Sequence, residues 1–114
     1  MKKTMSCEEI LNLFAQKLKV CGHPMRLQLL IAIAQGESSC VTELWRCLGQ
    51  SQPVVSQHLA VLKDQNIVDS KIEKNKRIYT IVDPFIREII SLMLKDELLK
   101  DKELPGSKIP CNEK

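Results

Sequence analysis

A stretch with helical hydrophobic period, followed at once by two short alternating runs, constrains the fold of this chain more than any other feature. In Ser51-Gln-Pro-Val-Val-Ser-Gln-His-Leu-Ala-Val-Leu-Lys63, a turn of 100° per residue puts Val55, Leu59 and Leu62 on one stripe, with Asn66 beyond them. Pro53, Ser56, Gln57, Ala60 and Asp64 fall opposite. The apolar stripe predicts a core-facing helix. A merely solvated outer face would carry Glu and Lys, whereas this one offers amides, hydroxyls and an alanine. Such a face can lie close to base edges, because Gln pairs with adenine, Ser serves several bases and small residues fit a groove roughly 12 Å wide. Taken alone, the segment also fits an ordinary amphipathic core helix.

The residues downstream of this helix favour the DNA-facing reading. Residues 67–70 and 77–82 are β-branched and alternating, and Glu73-Lys-Asn-Lys76 between them is turn-like, which predicts a hairpin. Lys71, Lys74, Lys76 and Arg77 outnumber Glu73 at its tip, an arrangement suited to phosphate oxygens. A solvated, lysine-rich turn is the alternative.

At 114 residues the chain makes one small domain, which would bury only about two-thirds of its unfolded surface alone, so dimerisation would help it. The net charge is only +3, so any affinity for nucleic acid must come from local clustering and from doubling in an oligomer. There is no run of about 18 apolar residues, and Met1-Lys-Lys-Thr-Met-Ser-Cys-Glu-Glu9 lacks the apolar centre of a signal peptide, which predicts a cytoplasmic protein without a membrane partner. In that compartment the five cysteines, Cys7, Cys21, Cys40, Cys47 and Cys111, read as free thiols, metal ligands or redox sensors rather than a disulfide framework.

Ser6-Cys-Glu-Glu9 is a capping box, and Ile10, Leu11, Phe14, Ala15 and Leu18 carry a first helix to about Lys19. Cys21-Gly-His-Pro24 breaks it. Pro24 suits the first turn of a second helix whose buried stripe is Leu27, Leu30, Ile31 and Ala34, ending at Gly36. A short helix over residues 41–48 stops at Gly49, and the recognition helix begins near Gln52 or Pro53, which makes a helix-turn-helix. After the hairpin, Asp83 caps and Pro84 opens a last helix reaching Lys100. Its apolar residues, Phe85, Ile86, Ile89, Ile90, Met93, Leu94 and Leu98, make a face too wide for one partner, which predicts a twofold dimer through the first and last helices. The expected fold is mainly α with a β-hairpin wing, a winged helix-turn-helix in the order α-α-α-α-β-β-α. Residues 1–100 form the domain, and residues 101–114, polar and holding Pro105, Gly106 and Pro110, form a flexible tail.

Gly22-His-Pro-Met-Arg-Leu-Gln-Leu-Leu30, Val41-Thr-Glu-Leu44 and Ser51-Gln-Pro-Val-Val-Ser-Gln-His-Leu59 resemble the ArsR/SmtB family of bacterial winged-helix repressors, over residues 8–98 or so. The resemblance implies a dimer that binds a palindromic DNA operator and releases it when a metal, metalloid or redox signal arrives. Carried over by position, Ser51, Gln52, Ser56, Gln57 and His58 would meet the major groove, and Lys63, Lys74, Lys76 and Arg77 would meet phosphates or the minor groove. His58 lies only about 60° from the core stripe, so a partly buried, hydrogen-bonded histidine is an equal alternative there.

Metalloid- and cadmium-sensing members carry Glu-Leu-Cys-x-Cys in the short helix, where this chain has Glu43-Leu-Trp-Arg-Cys47. Cys47 keeps one thiol; Trp45 replaces the other, so a soft-metal site must recruit cysteines from elsewhere. The resemblance makes Cys7 the best recruit, since some members bring an amino-terminal cysteine to the partner's short helix. Cys40 and Cys47 share a helix face but stand about 10.5 Å apart along it, too far to bind one ion directly. Cys21 precedes the second helix and Cys111 lies in the tail. Three thiolates from this set would suit As(III), Sb(III) or Cd(II) as inducer, with no cofactor otherwise required, while each cysteine can also be a small buried hydrophobe. With only His23 and His58 in the chain, a nitrogen-rich zinc site is not expected.

No glycine-rich phosphate loop or paired carboxylates accompany the cysteines and histidines, so no enzyme is expected. The expected function is a DNA-binding repressor relieved by thiolate binding of a soft ion or by oxidation. Two alternatives stay open: a winged-helix protein-interaction module without specific DNA binding, and a family member lacking an inducer site.

Overall fold

The computed structural model describes residues 4–35, 46, 48–100 and 102. It contains four helices and one hairpin among these residues: α1 (Cys7–Cys21), α2 (Pro24–Gln35), α3 (Gln52–Asp64), β1 (Val68–Glu73), β2 (Lys76–Ile81) and α4 (Pro84–Lys95). The short helix expected over residues 41–48 lies outside the described residues except for Arg46 and Leu48, both helical. Gly49 follows at φ 67°, and its N–H donates to the Arg46 carbonyl at 3.1 Å. That left-handed conformation is one that glycine adopts without a steric penalty.

The reciprocal box expected at Ser6 starts α1: Glu9 N–H donates to Ser6 Oγ at 3.1 Å, and Ser6 N–H donates to the Glu9 carboxylate at 2.9 Å. The helix runs two residues past Lys19, into Cys21. Much of its apolar face is uncovered, with Leu11 60% and Leu18 49% exposed.

α2 is the centre of the domain and packs against α3, α4 and β2. Its five consecutive residues from Leu29 to Ile33 are all buried. The single stripe expected from Leu27, Leu30, Ile31 and Ala34 is therefore incorrect: Leu27 is half-buried and Ala34 exposed. A helix covered on several sides has no dry stripe for a 3.6-residue period to reveal.

In α3, Val55, Leu59 and Leu62 have no exposed surface, as their spacing predicts. Asn66 does not extend that stripe. It sits exposed at φ 61°, just past the helix, and hands the core position to fully buried Ile67. The Ile67 carbonyl then accepts from the backbone N–H groups of Val82, at 2.9 Å, and Asp83, at 3.2 Å, which ties the end of the hairpin to its beginning.

The strands pair antiparallel, Val68 opposite Ile81 and Glu73 opposite Lys76. β1 runs three residues past the expected Ser70 and β2 starts one residue before the expected Arg77, because the turn is tight: only Lys74 (φ 49°) and Asn75 (φ 67°) lie between them. Two successive positive φ values are those of a type I′ turn, whose twist matches that of the flanking strands.

Asp83 caps α4 as expected, its Oδ1 accepting from Ile86 N–H at 3.0 Å. The helix ends at Lys95, short of Lys100, because Asp96 turns extended (ψ 146°) and its carboxylate accepts from Leu98 N–H at 2.9 Å. α1 meets this helix at two points: the Phe14 and Phe85 rings lie 4.5 Å apart, and Lys17 Nζ is 2.6 Å from Asp83 Oδ2. The expected tail lies outside the described residues apart from Lys102. No helix among the described residues is long and apolar enough to cross a membrane.

Candidate nucleic-acid interface

Because Val55, Leu59 and Leu62 hold one side of α3 in the core, its other side must face outward. Ser51, Gln52, Pro53, Ser56, Gln57, Ala60 and Asp64 are all exposed. Ser51 occupies the N-cap, yet its hydroxyl makes no capping bond and is left to face outward. The outer surface of α3 is thus short, polar and uncharged for most of its length, and can come close to a flat polar partner without burying an unpaired charge.

His58 is placed differently from the other four groove candidates. It is half-buried, and Nδ1 accepts from Arg26 Nε at 3.2 Å. Arg26 also donates through Nη1 to the Val20 carbonyl at 3.0 Å, so one guanidinium joins the end of α1, the start of α2 and the middle of α3. The His23 ring packs on His58 at 4.7 Å between centroids. Burial, and after it the neighbouring His23 and Arg26, lower the His58 pKa below its ordinary 6.5. His58 supports the helix from within. Sequence reasoning missed Arg26 altogether; the only clue was a lone cation inside an apolar helix.

His23 Nδ1 accepts from the Met25 backbone N–H at 3.1 Å and His58 Nδ1 from Arg26, so each neutral ring carries its proton on Nε2. Neither nitrogen keeps an uncommitted lone pair. Among the described residues no group of three or more His, Cys, Asp or Glu side chains could hold a metal ion.

The cationic residues lie along the hairpin and its junction with α3. Lys71, Lys74, Lys76 and Arg77 are all exposed, and Lys71 pairs loosely with Glu73 at 3.4 Å. Lys63, in the last turn of α3, reaches across to the Ser70 hydroxyl at 3.0 Å, and Arg77 Nη1 reaches the same oxygen at 3.1 Å. Sequence reasoning found both cations and missed the serine, whose position opposite Tyr79 only the strand register fixes.

Of the sensor candidates, Cys40, Cys47 and Cys111 lie outside the described residues, as does Trp45. Cys7 opens α1 with an exposed thiol, and Cys21 closes it with a buried one. Burial above all, with the nearby Asp83 charge adding to it against Arg26, pushes the Cys21 thiol up to about 11. A thiol in that state is a poor nucleophile and a poor metal ligand.

The model of the bacterial regulatory protein arsR family matches residues 23–70, which span α2, the turn, α3 and the start of the hairpin. An HTH-type transcriptional regulator of Methanocaldococcus jannaschii is 39% identical over 84 residues, 74% of this chain and 92% of the relative. Among solved structures, HlyU from Vibrio cholerae superposes with a TM-score of 0.71 at 30% identity, over 77% of this chain and 95% of HlyU. The AntR antimony-specific transcriptional repressor does so with a TM-score of 0.63 at 31% identity, over 82% and 84% of the two chains. With a winged helix-turn-helix like theirs and a recognition helix whose outer face is small and polar, the chain belongs to the arsR family of DNA-binding transcriptional repressors.

Proposed function

We propose that the protein acts as a homodimer on a palindromic operator, with α3 in the major groove and the hairpin on the flanking backbone. The observation that carries this reading is the uncharged outer face of α3 beside a cationic hairpin. Ser51, Gln52, Ser56 and Gln57 would contact bases; Lys63, Lys74, Lys76 and Arg77 would contact phosphates. The uncovered apolar residues of α1, together with Leu92 at 64% exposure on α4, supply the twofold contact. Doubling the helix doubles the bases read and compensates for a net charge of only +3.

In this reading, binding of As(III), Sb(III) or Cd(II) by cysteine thiolates, or their oxidation, releases the operator. Two features support it: the exposed thiol of Cys7, and the likeness to a repressor described as antimony-specific. Cys7 and Cys47 are the preferred ligands, with Cys111 as a third; helical spacing sets Cys40 too far from Cys47 to join the same ion, and Cys21 is the weakest candidate because its proton is held by burial. The ligand must favour a dimer arrangement that fits DNA less well. Because the protein works on DNA, we place it in the cytoplasm.

Operator binding measured with and without arsenite, antimonite, cadmium and a mild oxidant tests the sensor, and a Cys47→Ser protein should bind DNA normally but lose the response. A panel without effect would identify a family member that has no inducer site of this kind. The interface is tested separately. Gln57→Ala should cost about 1 to 3 kcal/mol and relax base choice at one position, whereas Lys76→Ala should weaken every sequence alike.

A further inference from the structure

We infer that Lys63, Ser70 and Arg77 form a single seat for one DNA phosphate at the junction of α3 and the hairpin. The inference rests on the DNA-binding reading and adds to it a specific stoichiometry and a residue, Ser70, with a defined part.

The geometry is unusual for a solvated surface. Two cations converge on one neutral oxygen, Lys63 Nζ at 3.0 Å and Arg77 Nη1 at 3.1 Å from Ser70 Oγ, although carboxylates are near. Asp69 uses its carboxylate on the Ser70 backbone N–H at 2.8 Å, and Glu73 pairs with Lys71. Among the described residues no carboxylate pairs with Lys63 or Arg77. A serine hydroxyl has two acceptor positions and one proton to donate. Both acceptor positions are filled by cations here, so the hydroxyl proton points away from them with no acceptor among the described residues. Two positive charges and a free O–H donor around one point call for an anionic oxygen, and a backbone phosphate presents two. Ser70 holds the two long side chains together before DNA arrives, which reduces the ordering cost of binding.

The stoichiometry gives the test. Salt dependence counts the phosphates neutralised rather than the cations supplied, about 0.9 in the slope of log K against log salt for each. Binding of the full chain to one fixed duplex is measured over a salt series for the natural protein and for Lys63→Gln, Arg77→Gln, their double variant, Ser70→Ala and Ser70→Thr. If the seat is shared, each single variant keeps one cation at the phosphate and loses little slope, while the double variant loses about 0.9 per protomer; two separate phosphates would give about 0.9 for each single variant and about twice that for the double, and overturn the proposal. Ser70→Ala should bind about tenfold more weakly with an unchanged slope, and Ser70→Thr should restore binding. A Ser70→Ala protein that binds like the natural one would remove Ser70 from the seat and overturn the proposal. Failure of the natural protein to bind the duplex in a salt-dependent way would overturn the DNA-binding reading itself, an outcome distinct from the other two.

Discussion

Arg26 donates to His58 Nδ1 across 3.2 Å, so a cation from α2 fixes the orientation of a ring on the recognition helix. The bond exists only while His58 is neutral at Nδ1, because a protonated ring would set an N–H against the N–H of a guanidinium. Its pKa is accordingly below 6.5, from burial first and from His23 and Arg26 next. The unfolded chain therefore takes up this proton more readily than the folded one. The stability contributed by neutral His58 is fully present above about pH 6.5 and is lost as pH falls through its lower folded pKa. Urea unfolding at pH 8 and at successively lower pH should show this loss in the natural protein, and a smaller one in His58→Gln. Equal pH dependence in the two proteins would contradict the argument.

Removing the other half of the pair has an opposite effect on the ring. In Arg26→Gln the nearby positive charge is gone, so His58 should titrate at higher pH, as followed by its ring-proton NMR signals. The bond to the Val20 carbonyl is also lost, and stability should fall by about 1 to 3 kcal/mol. An unshifted His58 titration would mean that Arg26 does not bear on the ring in solution.

Elements whose residues meet on one side only were legible in the sequence. The Val55, Leu59 and Leu62 stripe of α3, the Ser6 and Asp83 caps and the hairpin follow from local spacing and turn chemistry and form as expected, apart from Asn66 and the strand ends. α2 misled because its burial on several sides hides the period, and the end of α4 because Asp96 binds its own downstream backbone, which its apolar neighbours do not announce. At the interface, the charges and amides are visible as residue types. Arg26–His58 and Ser70 with its two cations join residues 32 and 7 positions apart, and only packing brings these together.

Lys17 and Asp83 form the contact between α1 and the start of α4, with 19% and 8% of their side chains exposed. Burial alone would raise the Asp83 pKa, but the Lys17 ammonium and the backbone N–H groups of Ile86 and Phe85 outweigh it and hold the carboxyl below 3.8. This stability is present above about pH 3.8 and is lost as pH falls through the lower folded value, so its loss begins at a lower pH than that of His58. Lys17→Met leaves a buried carboxylate without its partner and should cost about 2 to 4 kcal/mol; Asp83→Asn keeps a capping oxygen and should cost less. Thermal unfolding of the two variants at neutral pH ranks them.

The two described cysteines should separate under alkylation. Cys7 is exposed, whereas Cys21 is buried with its thiol pushed up to about 11. Iodoacetamide at neutral pH followed by peptide mass mapping should label Cys7 quickly and Cys21 only after unfolding. Rapid labelling of Cys21 in the folded protein would return it to the set of sensor thiols.

Lys74 offers a way to separate stability from function. It holds φ 49° in the turn, a conformation that costs a residue with a Cβ about 1 to 2 kcal/mol and that asparagine tolerates better. Asn or Gly would hold this turn with less strain, and under the DNA-binding reading proposed above the charge of the lysine offsets that cost. Lys74→Asn should therefore raise stability by about 0.5 to 1 kcal/mol, seen as a higher midpoint in urea, because the turn type is retained and its strain relieved. The same protein should bind duplex DNA more weakly, with the salt slope reduced by about 0.9 per protomer for the phosphate it no longer meets. The two effects have opposite signs and one cause, the exchange of a strained cation for a relaxed neutral residue. A variant that is more stable yet binds with an unchanged slope would show that the hairpin tip stands clear of the DNA, and the phosphate contacts would then rest on Lys63, Lys76 and Arg77.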